Sequence, residues 1–357
     1  MKTAIIGLPM VGKTSLFTIL TGVHQETRIG STAARTGVAR VPDPRLDALA
    51  KLFEPKKVTH ATVEYVDMPS ISKENLRDPS YLASLRVVDA FAHVLRLFAD
   101  ETVPHEKGSV DPLRDMEDVE TELILSDLVV VEKRVERLDK DRKKIKNPEL
   151  DREFDLLVKC KSALEDNRPL RLLEIDADEE KRLRGFQFLS QKPVLYVLNL
   201  GESDAGKLHD REREYREGPL AGRRHTAAAA VCGKIEAELA ELPREEQQDY
   251  LASYGLHESG LERLISATYA LLGLMSFLTA GEDECRAWTI PMHSPAVKAA
   301  GAIHSDFEKK FIRAEVVNWK ALTDLGGYAA LRDKGLLRLE GKEYIVKDGD
   351  VLVIRHG

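Results

Sequence analysis

The chain has 357 residues, 43% of them hydrophobic and 32% charged, with a net charge of −7. That length exceeds what one core supports, so two or three domains are expected, and the mild acidity argues against DNA binding through bulk charge. Cys160, Cys232 and Cys285 stand far apart with no C-x-x-C, which argues against a disulfide framework and a zinc site. With no charged leader and no membrane-length apolar run in the sequence, a cytoplasmic protein without a membrane partner is expected.

An apolar run over 3–6 leads directly into Gly7-Leu8-Pro9-Met10-Val11-Gly12-Lys13-Thr14, which reads G-x-x-x-x-G-K-T, and a helix-like stretch follows from Ser15. Strand, glycine loop and helix in that order are the context of a phosphate-binding loop. The loop residues Gly7 and Pro9–Ser15, through the backbone N–H groups of all but Pro9, and the helix dipole would cradle phosphates. Here Lys13 would reach the β- and γ-phosphates and the Thr14 hydroxyl would sit on Mg²⁺. The reading is a nucleoside triphosphate site. Farther on, a short strand over 63–66 ends in Asp67, a carboxylate placed to hold Mg²⁺. Strands are also expected over 90–98 and 193–198, the second ending at Asn199, with helices over 44–52 and 80–87. Alternating strands and helices indicate an α/β fold with a mostly parallel sheet covered on both faces.

From residue 114 to about 164 glycine and proline nearly vanish and charges crowd the chain. Ile124, Leu128, Val131, Val135, Leu138 and Ile145 fall at steps of four and three, with Arg142 at the missing position. Leu150, Phe154, Leu157 and Leu164 continue the seam beyond the turn signal Asn147-Pro148. This heptad pattern predicts an antiparallel helical hairpin projecting from the nucleotide domain. Its basic stretch over 133–146, with Lys143, Lys144 and Lys146 near the tip, reads as a solvated face or as a contact with RNA phosphates. The C-terminal eighty residues form a small α+β module. Strands are expected over 285–290, 311–317 and 351–354, a helix over 295–303, and a segment 342–346 that turns through Asp348-Gly349-Asp350.

Taken together, these residues resemble the YchF or Obg-like ATPase family, of the translation-factor class of P-loop GTPases. The resemblance is carried by the phosphate loop, Val41-Pro42-Asp43-Pro44-Arg45, Val110-Asp111-Pro112-Leu113 and Lys234-Ile235-Glu236-Ala237-Glu238-Leu239. It extends to Arg286-Ala287-Trp288-Thr289 and to His304-Ser305-Asp306-Phe307-Glu308-Lys309. It implies a P-loop G domain (1–113 and 186–277) interrupted by a helical coiled-coil insertion (114–185). A C-terminal TGS domain of β-grasp fold would follow (278–357).

GTPases of this class carry Asn-Lys-x-Asp, whose carboxylate accepts two hydrogen bonds from guanine. Here the segment is Asn199-Leu200-Gly201-Glu202. A glutamate is one methylene longer and does not occupy the same place without a backbone shift, so discrimination for guanine is lost. The resemblance points the same way, toward ATP over GTP, with Asn199 at the base edge and Val231-Cys232-Gly233-Lys234 beside the base. No glutamine follows Asp67-Met68-Pro69-Ser70. Ile71 holds its place, and the resemblance assigns water positioning to a loop histidine, matched by His105, alongside Lys13. Four departures stand out: Ser70 replaces a glycine; the segment 72–81 is short; Met10 replaces an asparagine that can ligate a monovalent cation; and Ser31 stands at the switch threonine's place on Mg²⁺. The expected function is slow Mg²⁺-dependent ATP hydrolysis by a regulatory protein that contacts the ribosome or ribosomal RNA. A GTPase with relaxed base choice and a nucleotide-binding scaffold with little hydrolysis are the alternatives.

Overall fold

The computed structural model describes residues 1–23, 34–72 and 74–357. In chain order its strands are β1 (Lys2–Ile6), β2 (Arg35–Arg40), β3 (Lys57–Thr59), β4 (Thr62–Asp67), β5 (Ala90–Arg96) and β6 (Val194–Asn199). Then come β7 (Thr226–Val231), β8 (Leu274–Thr279), β9 (Glu284–Pro291), β10 (Phe311–Asn318), β11 (Arg338–Glu340) and β12 (Asp350–His356). The chain divides into two units, Met1–Val38 with Glu64–Leu271, and Ala39–Val63 with Leu272–Gly357.

In the first unit the described strands order as β2-β4-β1-β5-β6-β7. β1 runs parallel to β4 and β5, and β6 runs parallel to β5 and β7. Every residue of β5 and of β6 is buried, as strands covered on both faces must be. The registers align Ile5 with Asp67, Ile6 with His93 and Arg96 with Asn199, so the carboxyl ends of β1, β4, β5 and β6 open at one edge. The strand order reverses around β1, and that is where open α/β sheets bind ligands.

The expected hairpin is two helices, Pro112–Arg142 and Pro148–Glu165. Each opens on a capping side chain followed by proline: Asp111 accepts from Arg114 N, and Asn147 from Glu149 N. Ile124, Val131 and Leu138 pack against Leu157, Cys160 and Leu164, while Leu128, Val135 and Phe154 flank them. At the missing seam position the Arg142 guanidinium lies 4.1 Å from the Phe154 ring centre and pairs with Asp151. Ile145, counted into the seam from its spacing, is instead exposed in the turn, because the first helix ends at Arg142. Much of the basic stretch is matched by carboxylates within the hairpin, Arg134 by Glu153, Arg137 by Asp141 and Lys143 by Asp139.

The hairpin falls in the first unit because its base is bonded to the sheet's surroundings. Asp127 is fully buried and accepts from Leu189 N at 2.9 Å and Ser190 N at 2.7 Å, in the turn leading to β6. Glu120 pairs with the buried Arg171 and accepts from Tyr196 Oη of β6 at 3.1 Å.

The second unit is a mixed sheet ordered β11-β10-β12-β8-β9-β3, with the helix Ala296–Ile303 packed on it through Ala296, Ala299 and Ala300 against Phe277, Val316 and Leu352. Residues 39–63, assigned to the nucleotide domain in the sequence reading, group here instead. β3 pairs parallel with β9, from Lys57 opposite Glu284 to Thr59 opposite Arg286. Asp43 caps the helix Pro44–Phe53, and Arg45 bridges Asp43 and Asp348, each at 2.8 Å. The Pro-Asp-Pro-Arg motif is thus a structural joint of this unit. The segment 342–346 forms no strand. Ile345 makes a single bridge to Pro295, and β11 takes the edge of the sheet.

Removing the Asp127 carboxylate would leave two buried N–H groups without partners, a loss of roughly 1–3 kcal/mol each. Asp127→Ala is expected to lower unfolding stability by about 2–4 kcal/mol in denaturant titration. A change below about 0.5 kcal/mol would show that the turn finds other partners.

Candidate nucleotide-binding site

The loop between β1 and the helix Lys13–Thr21 curls through three positive-φ residues, Gly7 (φ 143), Met10 (φ 62) and Gly12 (φ 99). A Cβ at Gly7 would stand 2.7 Å from Val94 O, and one at Gly12 would stand 2.6 Å from Asn199 Nδ2. Neither position admits a side chain. Val11 is buried beneath the loop, whereas Met10 is exposed on its outer face.

Lys13 is 7% exposed, and its Nζ donates to Leu8 O at 2.5 Å and to Ser70 Oγ at 3.0 Å. Burial pushes its pKa down to about 8, against the attraction of Asp67 and Glu106. Thr14 Oγ1 donates to Asp67 Oδ2 at 3.0 Å, while the buried Oδ1 has no hydrogen-bond partner among protein atoms. Burial raises the Asp67 carboxyl above the ordinary range, opposed by Thr14, Lys13 and Arg35. Hydroxyl and carboxylate oxygens, one of them orphaned beside the phosphate loop, form the hard donor set that Mg²⁺ takes when phosphates complete its shell. Ser31, the other expected Mg²⁺ contact, lies outside the described residues.

On the opposite side Asn199 is 5% exposed, and its amide joins two loops. Nδ2 donates to Val11 O at 3.0 Å, and Oδ1 accepts from Gly233 N at 3.1 Å. Leu200 and Cys232 are buried, so only their backbones remain for a ligand. Glu202 accepts from Lys234 Nζ at 2.5 Å and from Tyr254 Oη at 3.1 Å, bonds that hold its carboxyl below the usual range.

The second switch segment is tied to the phosphate loop. Ile71 is buried and its N–H donates to Gly7 O at 3.2 Å, Asn75 Nδ2 donates to Ser70 O, and Tyr81 Oη donates to Pro69 O. His105 is not a free surface histidine. Its side chain is 5% exposed, and Nε2 lies 2.9 Å from Asp115 Oδ2. Lys107 N donates to Nδ1, which leaves the proton on Nε2. Next to it, Glu106, Asp118 and Glu122 join Leu8 and Ile71 in lining a cavity of about 300 Å³ beside the phosphate loop.

Two buried polar residues were missed in the strand expected over 90–98. The His93 ring lies against Gly7, 3.5 Å from where a Cβ would stand. Burial, with Lys13 and Arg171 nearby, pushes its pKa down to about 3, so it is neutral. Arg96, 2% exposed, donates to the carbonyls of Phe98, Asp100 and Pro104 and so holds the loop that leads to His105. A polar side chain inside an otherwise apolar run was the available signal.

Comparison with known proteins gives concordant matches. Residues 274–357 match the family model YchF-GTPase_C, described as a protein of unknown function (DUF933). A Bacillus subtilis protein named "Ribosome-binding ATPase YchF" is 40% identical, the match covering 99% of each chain. The Escherichia coli O157:H7 protein of that name is 38% identical over 98% of each. The solved structure of the Schizosaccharomyces pombe YchF GTPase superposes with a TM-score of 0.85 at 28% identity, covering 99% of this chain and 97% of that one.

The lowered Lys13 pKa gives a pH dependence with a definite sign. Phosphates favour the charged ammonium, so nucleotide affinity should hold below pH 8 and fall as pH rises through that value. Calorimetry at pH 8–9 in buffers of different ionisation enthalpy should report proton uptake on binding. A Lys13 with an unshifted pKa would give flat affinity up to pH 9.

Proposed function

The chain belongs to the YchF family, and from that premise we propose that it binds and slowly hydrolyses ATP, in preference to GTP, as a ribosome-associated regulatory protein. The carrying observation is the convergence of Lys13, Thr14 and Asp67 at the carboxyl ends of β1 and β4. The ribosome as partner rests on the names of the relatives.

Thr14 and Asp67 would hold Mg²⁺, which when bound neutralises phosphate charge during transfer. The adjoining cavity carries Glu106, Glu122 and an Asp118 paired with Lys107 at 3.1 Å, a lining with more negative than positive charge, which favours a triphosphate that arrives with its counter-charge. Lys13 exchanges its bonds to Leu8 O and Ser70 Oγ for phosphate oxygens, recovering the solvation that burial removed. The backbone of 199–202 and 231–233 faces the base, and Glu202, already engaged by Lys234 and Tyr254, does not offer guanine the paired acceptor of a GTPase aspartate. Calorimetry on the full chain is expected to give ATP the tighter binding. GTP favoured by tenfold, about 1.4 kcal/mol, would overturn the base assignment.

For hydrolysis, water must be oriented by a group other than Ile71, and His105 is the candidate, provided its bond to Asp115 opens. His105→Ala is expected to lower turnover by about 10²–10⁴-fold with ATP affinity spared. The closed His105–Asp115 pair favours one second reading, a nucleotide-binding scaffold. Parent turnover at the no-enzyme background, with or without ribosomes, would select it.

A further inference from the structure

Resting on the ATP-preferring reading above, we propose that Lys234 and Tyr254 are specificity-determining residues, which set base choice by occupying the Glu202 carboxylate. Glu202 stands three residues beyond Asn199, where GTPases of this class carry the aspartate that accepts from guanine. A longer side chain alone does not bar that role. Glu202 is a carboxylate with 39% of its side chain exposed, at the start of the short helix Glu202–Lys207, and a modest backbone shift would turn it toward a base.

Its present partners prevent that turn. Oε2 accepts from Lys234 Nζ at 2.5 Å and Oε1 from Tyr254 Oη at 3.1 Å, so both oxygens are engaged by donors from two other elements. Lys234 lies in the first turn of the helix Gly233–Glu241, directly after the Gly233 N–H that Asn199 holds. Tyr254 follows the helix Arg244–Ser253 and packs on the cluster of Ala205, Cys232 and Ile235, its ring 5.4 Å from that of Tyr250. The tyrosine is therefore fixed by packing, and the lysine is fixed at its root by the loop that flanks the base.

An exposed lysine pair of this kind, with the Lys234 side chain 66% exposed, contributes little to stability. Its consequence is directional. Guanine presents two adjacent donors that need a carboxylate free to accept both, and Glu202 frees itself only by giving up Lys234 and Tyr254. Adenine lacks that donor pair and makes no such demand. The discrimination against GTP is therefore a competition for one carboxylate, in which the bonds to Lys234 and Tyr254 must be exchanged for those to guanine, at a cost of up to about 1 kcal/mol each.

The test is a double variant, Lys234→Met with Tyr254→Phe, which keeps the bulk of both side chains and removes both donors. Calorimetry with ATP and GTP on the full chain should show the GTP-to-ATP affinity ratio rising about tenfold over the parent. Adding Glu202→Gln should abolish that rise, since the freed carboxylate is the new acceptor. An unchanged ratio in the double variant, or a rise that survives Glu202→Gln, overturns the proposal. Should the double variant unfold, Tyr254→Phe alone must move the ratio in the same direction or the proposal falls. A parent that binds ATP and GTP equally removes the ATP-preferring reading itself. A parent that prefers ATP with variants that keep its ratio removes only the role of Lys234 and Tyr254.

Discussion

A single buried side-chain amide holds the two halves of the nucleotide site at a fixed separation. Asn199 donates to Val11 O of the phosphate loop and accepts from Gly233 N of the loop that follows β7. It stands at the carboxyl end of β6, in register with Arg96 of β5, so the parallel sheet sets where the amide lies. Gly12 must lack a Cβ because the amide passes 2.6 Å from that point. Replacing Asn199 by an apolar residue would strand a buried carbonyl and a buried N–H in two different loops at once. The separation of the phosphate loop from the loop at 231–233 therefore follows from strand register rather than from loop stiffness.

Charge at the phosphate end obeys the same geometry. Lys13, Asp67 and His93 are buried near one another at the ends of β1, β4 and β5, and in each the low-dielectric surroundings disfavour the ionised form. A triphosphate with its cation supplies the opposite charges that Lys13 and Asp67 lack, so ligand binding relieves a penalty that folding imposed. The same layer extends toward the hairpin. The His93 ring lies 5.7 Å from Tyr196, whose hydroxyl reaches Glu120, and Glu120 pairs with Arg171. The helical arm is therefore anchored on the polar core of the nucleotide unit and not merely attached by its two chain crossings.

The parts legible in the sequence were those with a local signature. G-x-x-x-x-G-K-T between an apolar run and a helix marked the loop, and steps of three and four marked the hairpin, including the place where Arg142 breaks the seam. The parts that escaped depend on long-range partners. β3 is three residues long and is held by β9, more than two hundred positions away, so nothing within 39–63 announces its grouping. The segment 342–346 alternates like a strand, yet Tyr344 Oη and Lys347 N both turn to Asp350 Oδ2, which bends the chain out of the sheet. His93 and Arg96 were visible as polar letters in an apolar strand, but their partners, Gly7 and the carbonyls of 98–104, are set by the fold.

The arrangement bears on the rate of the proposed hydrolysis. Ile71 occupies the place where other P-loop enzymes orient water, and it is buried with its N–H bonded to Gly7 O. Ser70 Oγ accepts from Lys13 Nζ, and His105 donates to Asp115, which Arg114 also engages. In this state Ile71 offers no polar side chain, and His105 is held away by Asp115. Breaking a hydrogen bond to a charged group costs about 1.5–3 kcal/mol, which at equilibrium leaves roughly one molecule in ten to one in two hundred with His105 released. On the proposed mechanism, turnover through His105 would then be slow by default and would rise with any partner that stabilises the released loop. A partner contacting the loop after Arg96, or displacing Asp115 at the foot of the long helix, would set the rate without touching the nucleotide.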